Sequence, residues 1–216
     1  MLLISFQKYH LRRFYNNTKP VAIRVGKGES MKIVYIHIPR TAGNTIKNLF
    51  SSDVIVWSHN LRCRNYRFCS RGEYDFVFTF VRDPLTRFLS AYYYLRNGGK
   101  NEEDNLDGYL VGAKFMDIVQ FAQERLENVA KWQIHFIPQT NWLQNLDHLD
   151  FVGRYENMKE DYKRVCSLLE LPPKPLTYNP TDRSFLSKEI AIIKPIVECI
   201  YANDYKLIKT IDERKS

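Results

Sequence analysis

Ile33-Val34-Tyr35-Ile36-His37-Ile38-Pro39-Arg40-Thr41-Ala42-Gly43-Asn44-Thr45 is the stretch that decides the fold. An apolar run, Ile33 to Ile38, stops at Pro39, and Arg40 follows at once. Gly43, Asn44 and Thr45 then lead into a helix-like segment, Ile46 to Phe50. The order reads as strand, tight turn and helix N-terminus. Such a turn gathers backbone N–H groups, the helix dipole adds partial positive charge, and Arg40 adds a formal one. The stretch therefore predicts an anion cradle, suited to a phosphate-like group.

Working outward, Lys32 to Ile38 is nearly all apolar, as expected of a central parallel strand covered on both faces. Asp53 to Trp57 reads as a short second strand, ending at Ser58-His59-Asn60. Phe76 to Val81 is a third and runs into Arg82-Asp83-Pro84. Asp83 suits a helix cap and Pro84 the first helical position. From there Leu85, Phe88, Leu89, Tyr92 and Leu95 recur at helical spacing as one buried stripe, with Arg87, Ser90 and Tyr94 on another side. Strand, Arg82, cap and helix thus make a second polar junction at a strand end, where open parallel sheets bind ligands. The fold expected is α/β: a P-loop-like, three-layer arrangement with a central, mainly parallel sheet flanked by helices.

The remaining chain gives weaker signals. Gly98 to Gly108 is acidic and turn-rich, and reads as a mobile surface loop, either a lid or a plain excursion. Phe115 to Val129 predicts a helix whose apolar face includes Phe115, Ile118, Ala122 and Val129. Lys131 to Leu143 is aromatic and irregular. Phe151 to Tyr155 reads as a late strand and turn. Asn157 and Glu160 have capping-box spacing, and Met158, Tyr162, Val165, Cys166 and Leu169 share a helical face ended by Pro172, Pro173 and Pro175. Ser187 is expected to cap a last helix reaching Lys206, kinked or divided at Pro195. Residues 1–30 read as an N-terminal extension with Lys27 to Ser30 as loop, 31–210 as one domain and 211–216 as a tail. Leu11 to Tyr15 suits a short basic amphipathic helix that either touches a membrane surface or packs on the domain.

The chain has 216 residues, enough for a sizeable core. A net charge of +8 proposes an anionic ligand without choosing it. Cys63, Cys69, Cys166 and Cys199 match no zinc-site spacing and read as free thiols of a reducing compartment, with a Cys63–Cys69 pair as the oxidising alternative. No run approaches the ~20 apolar residues of a membrane span, and Met1 to Phe6 is too short for a secretory signal. The sequon at Asn16 is then accidental.

The first turn is not a Walker A motif: Ile38 or Pro39 replaces its opening glycine, and no lysine precedes Thr45. No acidic pair suggests magnesium, Asp83 being a helix cap and Asp75 part of a turn. Two junctions, each with an arginine, suit a ligand with two anionic ends held by guanidinium forks.

Ile36 to Thr45 resembles the 5′-phosphosulfate loop of the sulfotransferases, and Phe80 to Tyr92 resembles their 3′-phosphate strand and helix. The carbohydrate sulfotransferases of the Golgi and of bacteria are the most similar group. His135 to Gln139, Phe151 to Glu156 and Tyr201 to Asp204 are also similar to segments of that group. The resemblance spans about Lys32 to Leu207. It implies sulfuryl transfer from 3′-phosphoadenosine 5′-phosphosulfate (PAPS) to a hydroxyl or amine, leaving 3′-phosphoadenosine 5′-phosphate (PAP), with no metal required. Carried onto this sequence, Arg40, Thr41, Ala42, Gly43, Asn44 and Thr45 surround the 5′-phosphosulfate, with Arg40 as the electrostatic catalyst. Arg82 and Ser90 hold the 3′-phosphate. Arg183 and Lys188 are expected to close over the nucleotide.

For the base, His59 is the first choice: it follows the second strand, and an unperturbed imidazole has a pKa near neutrality, as a base needs. His135 is the rival, His37 reads as structural, and Glu156 as orienting a basic partner. Trp57, Trp132, Phe136 and Trp142 are either sugar-stacking platforms or core. Many loops of the family carry lysine where Arg40 stands. The absence of an anchor favours a soluble, cytoplasmic enzyme acting on a carbohydrate or glycoconjugate, not on nucleic acid. Two other readings stay open: a P-loop kinase, against which the missing lysine counts, and a nucleotide- or nucleic-acid-binding module, for which Arg62 to Arg71 and the net charge speak.

Overall fold

The computed structural model describes residues 23–25, 29–50, 55–58, 74–144, 149–176 and 187–213, with backbone alone for 23–25, 29–31 and 55–58. A two-stranded antiparallel pair, β1 (Ile23–Val25) and β2 (Glu29–Met31), comes first, with Ile23 opposite Met31. Glu29 and Ser30, read above as loop, are strand residues instead. Their pairing partner, Ile23 to Val25, has a β-branched residue at each end and lies in the stretch assigned to an extension.

The main sheet has β3 (Ile33–His37), β4 (Ile55–Ser58), β5 (Phe76–Val81) and β6 (Phe151–Arg154) in the order β4-β3-β5-β6, every pairing parallel. α1 (Gly43–Phe50) connects β3 to β4 on one side, and the chain then returns to place β5 on the other side of β3. The strand order reverses between β3 and β5, and a crevice at the carboxyl ends of such strands is where α/β sheets bind ligands. This is a mixed α/β fold with a small parallel sheet flanked by helices.

Both sheet faces are covered, as the unbroken apolar runs of β3 and β5 require. Ile33, Tyr35, Phe78 and Phe80 pack with α1 and with α7 (Met158–Leu168). On the opposite side lie Val34, Ile36 and Val77. α2 (Pro84–Arg96) begins as the sequence implies, with Asp83 Oδ1 accepting from Thr86 N at 2.9 Å and Pro84 in the first turn. Its apolar stripe joins α4 (Ile118–Glu124), α5 (Leu126–Val129) and α8 (Ser187–Ile200) in a second core, where Phe121 meets Tyr92 and Phe136 at centroid distances of 5.3 Å.

Five local expectations are corrected. The acidic 98–108 stretch is not a loop: α3 (Glu102–Leu110) occupies most of it. Asn101 caps it by accepting from Asp104 N, and Glu102, Glu103 and Asp104 sit where the dipole favours negative charge. Gly108 lets α3 lie against α2, since a Cβ there would stand 2.3 Å from Leu95 O. The 115–129 helix begins later, because Asp117 caps α4, and Phe115 is left 75% exposed. Asn157 makes no side-chain cap bond; a 3-10 turn (Tyr155–Asn157) leads into α7 instead. Pro195 lies inside α8, and the break comes at Tyr201, whose hydroxyl donates to Phe136 O at 2.6 Å. After α6 (Gln139–Leu143), the chain's final helix is α9 (Ala202–Glu213), which extends into the stretch read as a tail: Ile211 is buried and Asp212 pairs with Arg154. No helix among the described residues is long and apolar enough to cross a membrane.

Candidate active site

The turn after β3 is held under backbone strain. Arg40 and Ala42 both have φ near 71°, a left-handed conformation that costs non-glycine residues about 1 kcal/mol or more each. Thr41, fully buried, fastens the turn by donating its hydroxyl to Ile38 O at 2.8 Å. The first helical bond runs from Ile46 N to Ala42 O, so the amides of Gly43, Asn44 and Thr45 open α1 without an intrahelical acceptor.

Gly43 is required by contact rather than by φ. A Cβ there would lie 1.7 Å from His37 Nε2, and His37 is buried with its ring stacked on Tyr35 at 5.9 Å. His37 is thus part of the packing beneath the turn, as expected. Gly43→Ala is expected to cost about 2 kcal/mol of stability by forcing that ring aside. Urea unfolding checks this, and His37→Ala in the same chain should return part of the loss.

The polar side of α2 faces this turn. Arg40 Nε and Nη2 donate to Ser90 Oγ at 3.1 and 3.0 Å, and the Arg40 guanidinium lies 4.2 Å over the Tyr94 ring. Arg82 Nε donates to Thr86 Oγ1 at 3.1 Å and its Nη1 to Arg40 O at 3.3 Å, with its guanidinium 4.0 Å over Tyr155. Arg87, 2% exposed, donates from Nε to Pro39 O and from Nη1 to Ile137 O, both at 3.0 Å. Three guanidinium groups therefore converge on one turn, and their acceptors among the described residues are neutral. Among the described residues, no carboxylate is within ion-pair distance of any of them.

Burying these groups has an electrostatic cost. Burial pushes the Arg40 guanidinium down to about 10; Tyr94 opposes the shift and Arg82 adds to it. Burial likewise lowers Arg87, with Tyr201 and Asp204 opposing and Arg82 adding. A bound polyanion would relieve both costs. The fit is specific in kind: forked donors, helix-opening amides and unneutralised positive charge are what phosphate oxygens need.

The two strand-end arginines share one site, the main-chain oxygen of one accepting from the side chain of the other. Ser90, expected beside Arg82, instead accepts from Arg40. Asn44 is exposed and Thr45 half-buried at the start of α1. His59 and Arg183 lie outside the described residues, although Ser58, immediately before His59, is paired with His37 at the same sheet end. Lys188 is exposed on α8. Phe136 and Trp142 are buried core residues, while Trp132 is 39% exposed. Glu156 accepts from Asp83 N at 2.7 Å and pairs with Arg154 at 2.9 Å. Cys166 is buried and Cys199 exposed, both as free thiols. No group of His, Cys, Asp and Glu among the described residues has the arrangement of a metal site.

His135 is buried beside Tyr94, their ring centroids 5.1 Å apart, with Nε2 3.7 Å from Asp104 Oδ1. Burial pushes its pKa below the usual value; Asp104 opposes this and Arg40 adds to it. Asp104 accepts from the Tyr94 hydroxyl at 2.5 Å and from Lys100 N at 3.0 Å. Burial alone would raise its carboxyl, but His135, Tyr94 and the Lys100 amide together hold it well below the ordinary range. Because the folded state resists protonating His135, the unfolded chain takes up the proton first as pH falls below about 6.5. The corresponding stability is complete above that pH and lost beneath it. Between pH 7.5 and 5.5, the wild type should lose more unfolding free energy than His135→Gln; equal losses by urea titration would contradict the assignment.

Sequence reading did not assign Arg87, Tyr94, Asp104, Gln139 or Tyr155 to the site. The spacing of Arg87, Ser90 and Tyr94 on one side of α2 was the available signal for two of them. The model of the family described as Sulfotransferase family matches residues 27–206, which takes in both junctions. No curated protein and no solved structure matches the chain at a significant level.

Proposed function

The chain belongs to the sulfotransferase family, and on that premise we propose that it moves a sulfuryl group from PAPS to a hydroxyl of a carbohydrate or glycoconjugate. The observation that carries this reading is the convergence of Arg40, Arg82 and Arg87 on one strand-end turn with no carboxylate within ion-pair distance among the described residues. A nucleotide with phosphate groups at two positions supplies the missing charge.

In this reading the turn is a P-loop-like cradle. The amides of Gly43, Asn44 and Thr45, with Arg40, Thr41 and Ala42, embrace the 5′-phosphosulfate, while Arg82 and Ser90 take the 3′-phosphate and Arg183 closes over the nucleotide. Ser90 lies between the two ends, because it now accepts from Arg40. PAPS supplies a sulfuryl group already joined to a phosphate leaving group. The acceptor oxygen forms a bond to sulfur as the bridging S–O bond breaks, and the acceptor proton passes to the His59 imidazole. Arg40 meets the charge that develops on the departing phosphate oxygen, where fixed donors lower the barrier most. His135, buried behind polar neighbours, is the rival base.

Calorimetry with PAP, adenosine 5′-monophosphate (AMP) and ATP tests the nucleotide assignment. PAP should bind at least about tenfold more tightly than either other ligand, a difference near 1.4 kcal/mol; equal affinities would remove it. Transfer of labelled sulfate should collapse in His59→Ala with PAP binding retained. If it collapses instead in His135→Ala alone, the base is His135.

A further inference from the structure

β5 ends at Val81, whose ladder partner is Arg154. Arg82 is the next residue, and its main chain is held by a side chain rather than by a strand. Gln139 Oε1 accepts from Arg82 N at 2.8 Å, and Gln139 Nε2 donates to Arg82 O at 2.8 Å. One amide thus imitates a neighbouring peptide and fixes Arg82 on both sides. Gln139 is fully buried and is itself anchored: its N donates to Asp204 Oδ2 at 2.7 Å. Asp204, also fully buried, accepts in addition from Thr140 N and Thr140 Oγ1, each at 2.9 Å. A chain of bonds therefore runs from α9 through the start of α6 to the residue whose guanidinium lies between Arg40 O and Tyr155.

We propose that Gln139 is a positioning residue for Arg82 and thereby sets the enzyme's discrimination for a nucleotide carrying a 3′-phosphate. The inference rests on the nucleotide assignment made above. Gln139 reaches the Arg82 main chain and makes no bond to the guanidinium, so its influence is on aim. A guanidinium fork that must meet phosphate oxygens at two points is sensitive to aim: a displacement near 1 Å is enough to forfeit much of the interaction.

The test measures PAP and AMP affinities by calorimetry for the full chain and for Gln139→Leu, Gln139→Glu and Thr140→Val. Leucine removes both bonds to Arg82. Glutamate keeps the acceptor for Arg82 N, loses the donor to Arg82 O and sets a carboxyl oxygen in place of the amide facing Asp204 Oδ2. Valine at 140 loses a bond to Asp204 without touching Arg82. The PAP-to-AMP affinity ratio should fall about tenfold in Gln139→Leu, by less in Gln139→Glu, and stay at the wild-type value in Thr140→Val. AMP affinity should be unchanged throughout, which a general loosening of the fold would not allow. A wild-type chain with no preference for PAP defeats the nucleotide assignment and this inference with it. A wild-type preference that survives intact in Gln139→Leu overturns the inference alone. If leucine prevents folding, the glutamate variant carries the comparison; failure of both to fold also overturns it, since the role assigned is the placing of Arg82.

Discussion

Arg82→Met is expected to weaken PAP binding about 100-fold while changing AMP binding only a few-fold. The magnitude follows from removing one partner of a desolvated, charge-assisted contact, which costs roughly 2–5 kcal/mol. The selectivity follows from geometry. Arg40, Thr41 and the opening amides of α1 stay in place for the 5′ end, because the turn is fastened by Thr41 on Ile38 O and by Arg87 on Pro39 O. Arg82 contributes one long bond to that turn, to Arg40 O at 3.3 Å. Methionine keeps much of the side chain's apolar body against Tyr155, so the fold should hold to within about 1 kcal/mol. Removing a like charge beside Arg40 also works in the variant's favour. Calorimetry with both nucleotides and urea unfolding read these effects separately. Equal loss of PAP and AMP binding would show that Arg82 shapes the turn as a whole instead of recognising a second phosphate.

Asp204→Ala is expected to give the largest stability loss, about 4 kcal/mol. Asp204 is fully buried and accepts from Gln139 N, Thr140 N and Thr140 Oγ1 at 2.7–2.9 Å, with Gln139 Nε2 more distant at 3.4 Å. Alanine leaves those donors without their acceptor, and a donor orphaned on burial costs roughly 1–3 kcal/mol. The loss should spread beyond α9, because the released segment carries Ile137 and Trp142 in the core shared with Ile38, Val81 and Ile208. Asp204→Asn keeps one acceptor oxygen and should lie between alanine and wild type. An alanine variant within 1 kcal/mol of wild type in urea would mean that the segment finds other acceptors.

Much of the fold was readable because its signals are local. The β3 and β5 runs are apolar on both faces, and the Asp83-Pro84 start of α2 is a cap and a φ restraint within a few residues. α3 was not readable for a physical reason. Its inward side carries Asp104, Asp107 and Gly108, while Leu106, Tyr109 and Leu110 are about half exposed. A helix that buries polar groups and exposes apolar ones has no stripe of the expected kind. Phe115 misled for the converse reason, an aromatic at helical spacing that lies before the Asp117 cap.

In the site, Arg40 and Arg82 could be found because each stands at a strand end beside a turn, whereas Arg87 lies within α2. The residues that hold them could not. Gln139 is 57 positions from Arg82, and Asp204 is 65 from Gln139. Bonds over such separations depend on how α6 and α9 pack, which no short pattern encodes. The Arg40–Ser90 bond shows the same limit: the two residues stand 50 positions apart, and no short pattern pairs them.

The central claim is that one nucleotide occupies both junctions at once. A crystal structure of the PAP complex tests it most directly. The 5′-phosphate is predicted at the amides of Gly43, Asn44 and Thr45, and the 3′-phosphate against the Arg82 guanidinium. A nucleotide seated elsewhere, or one whose 3′-phosphate lies away from Arg82, would contradict it.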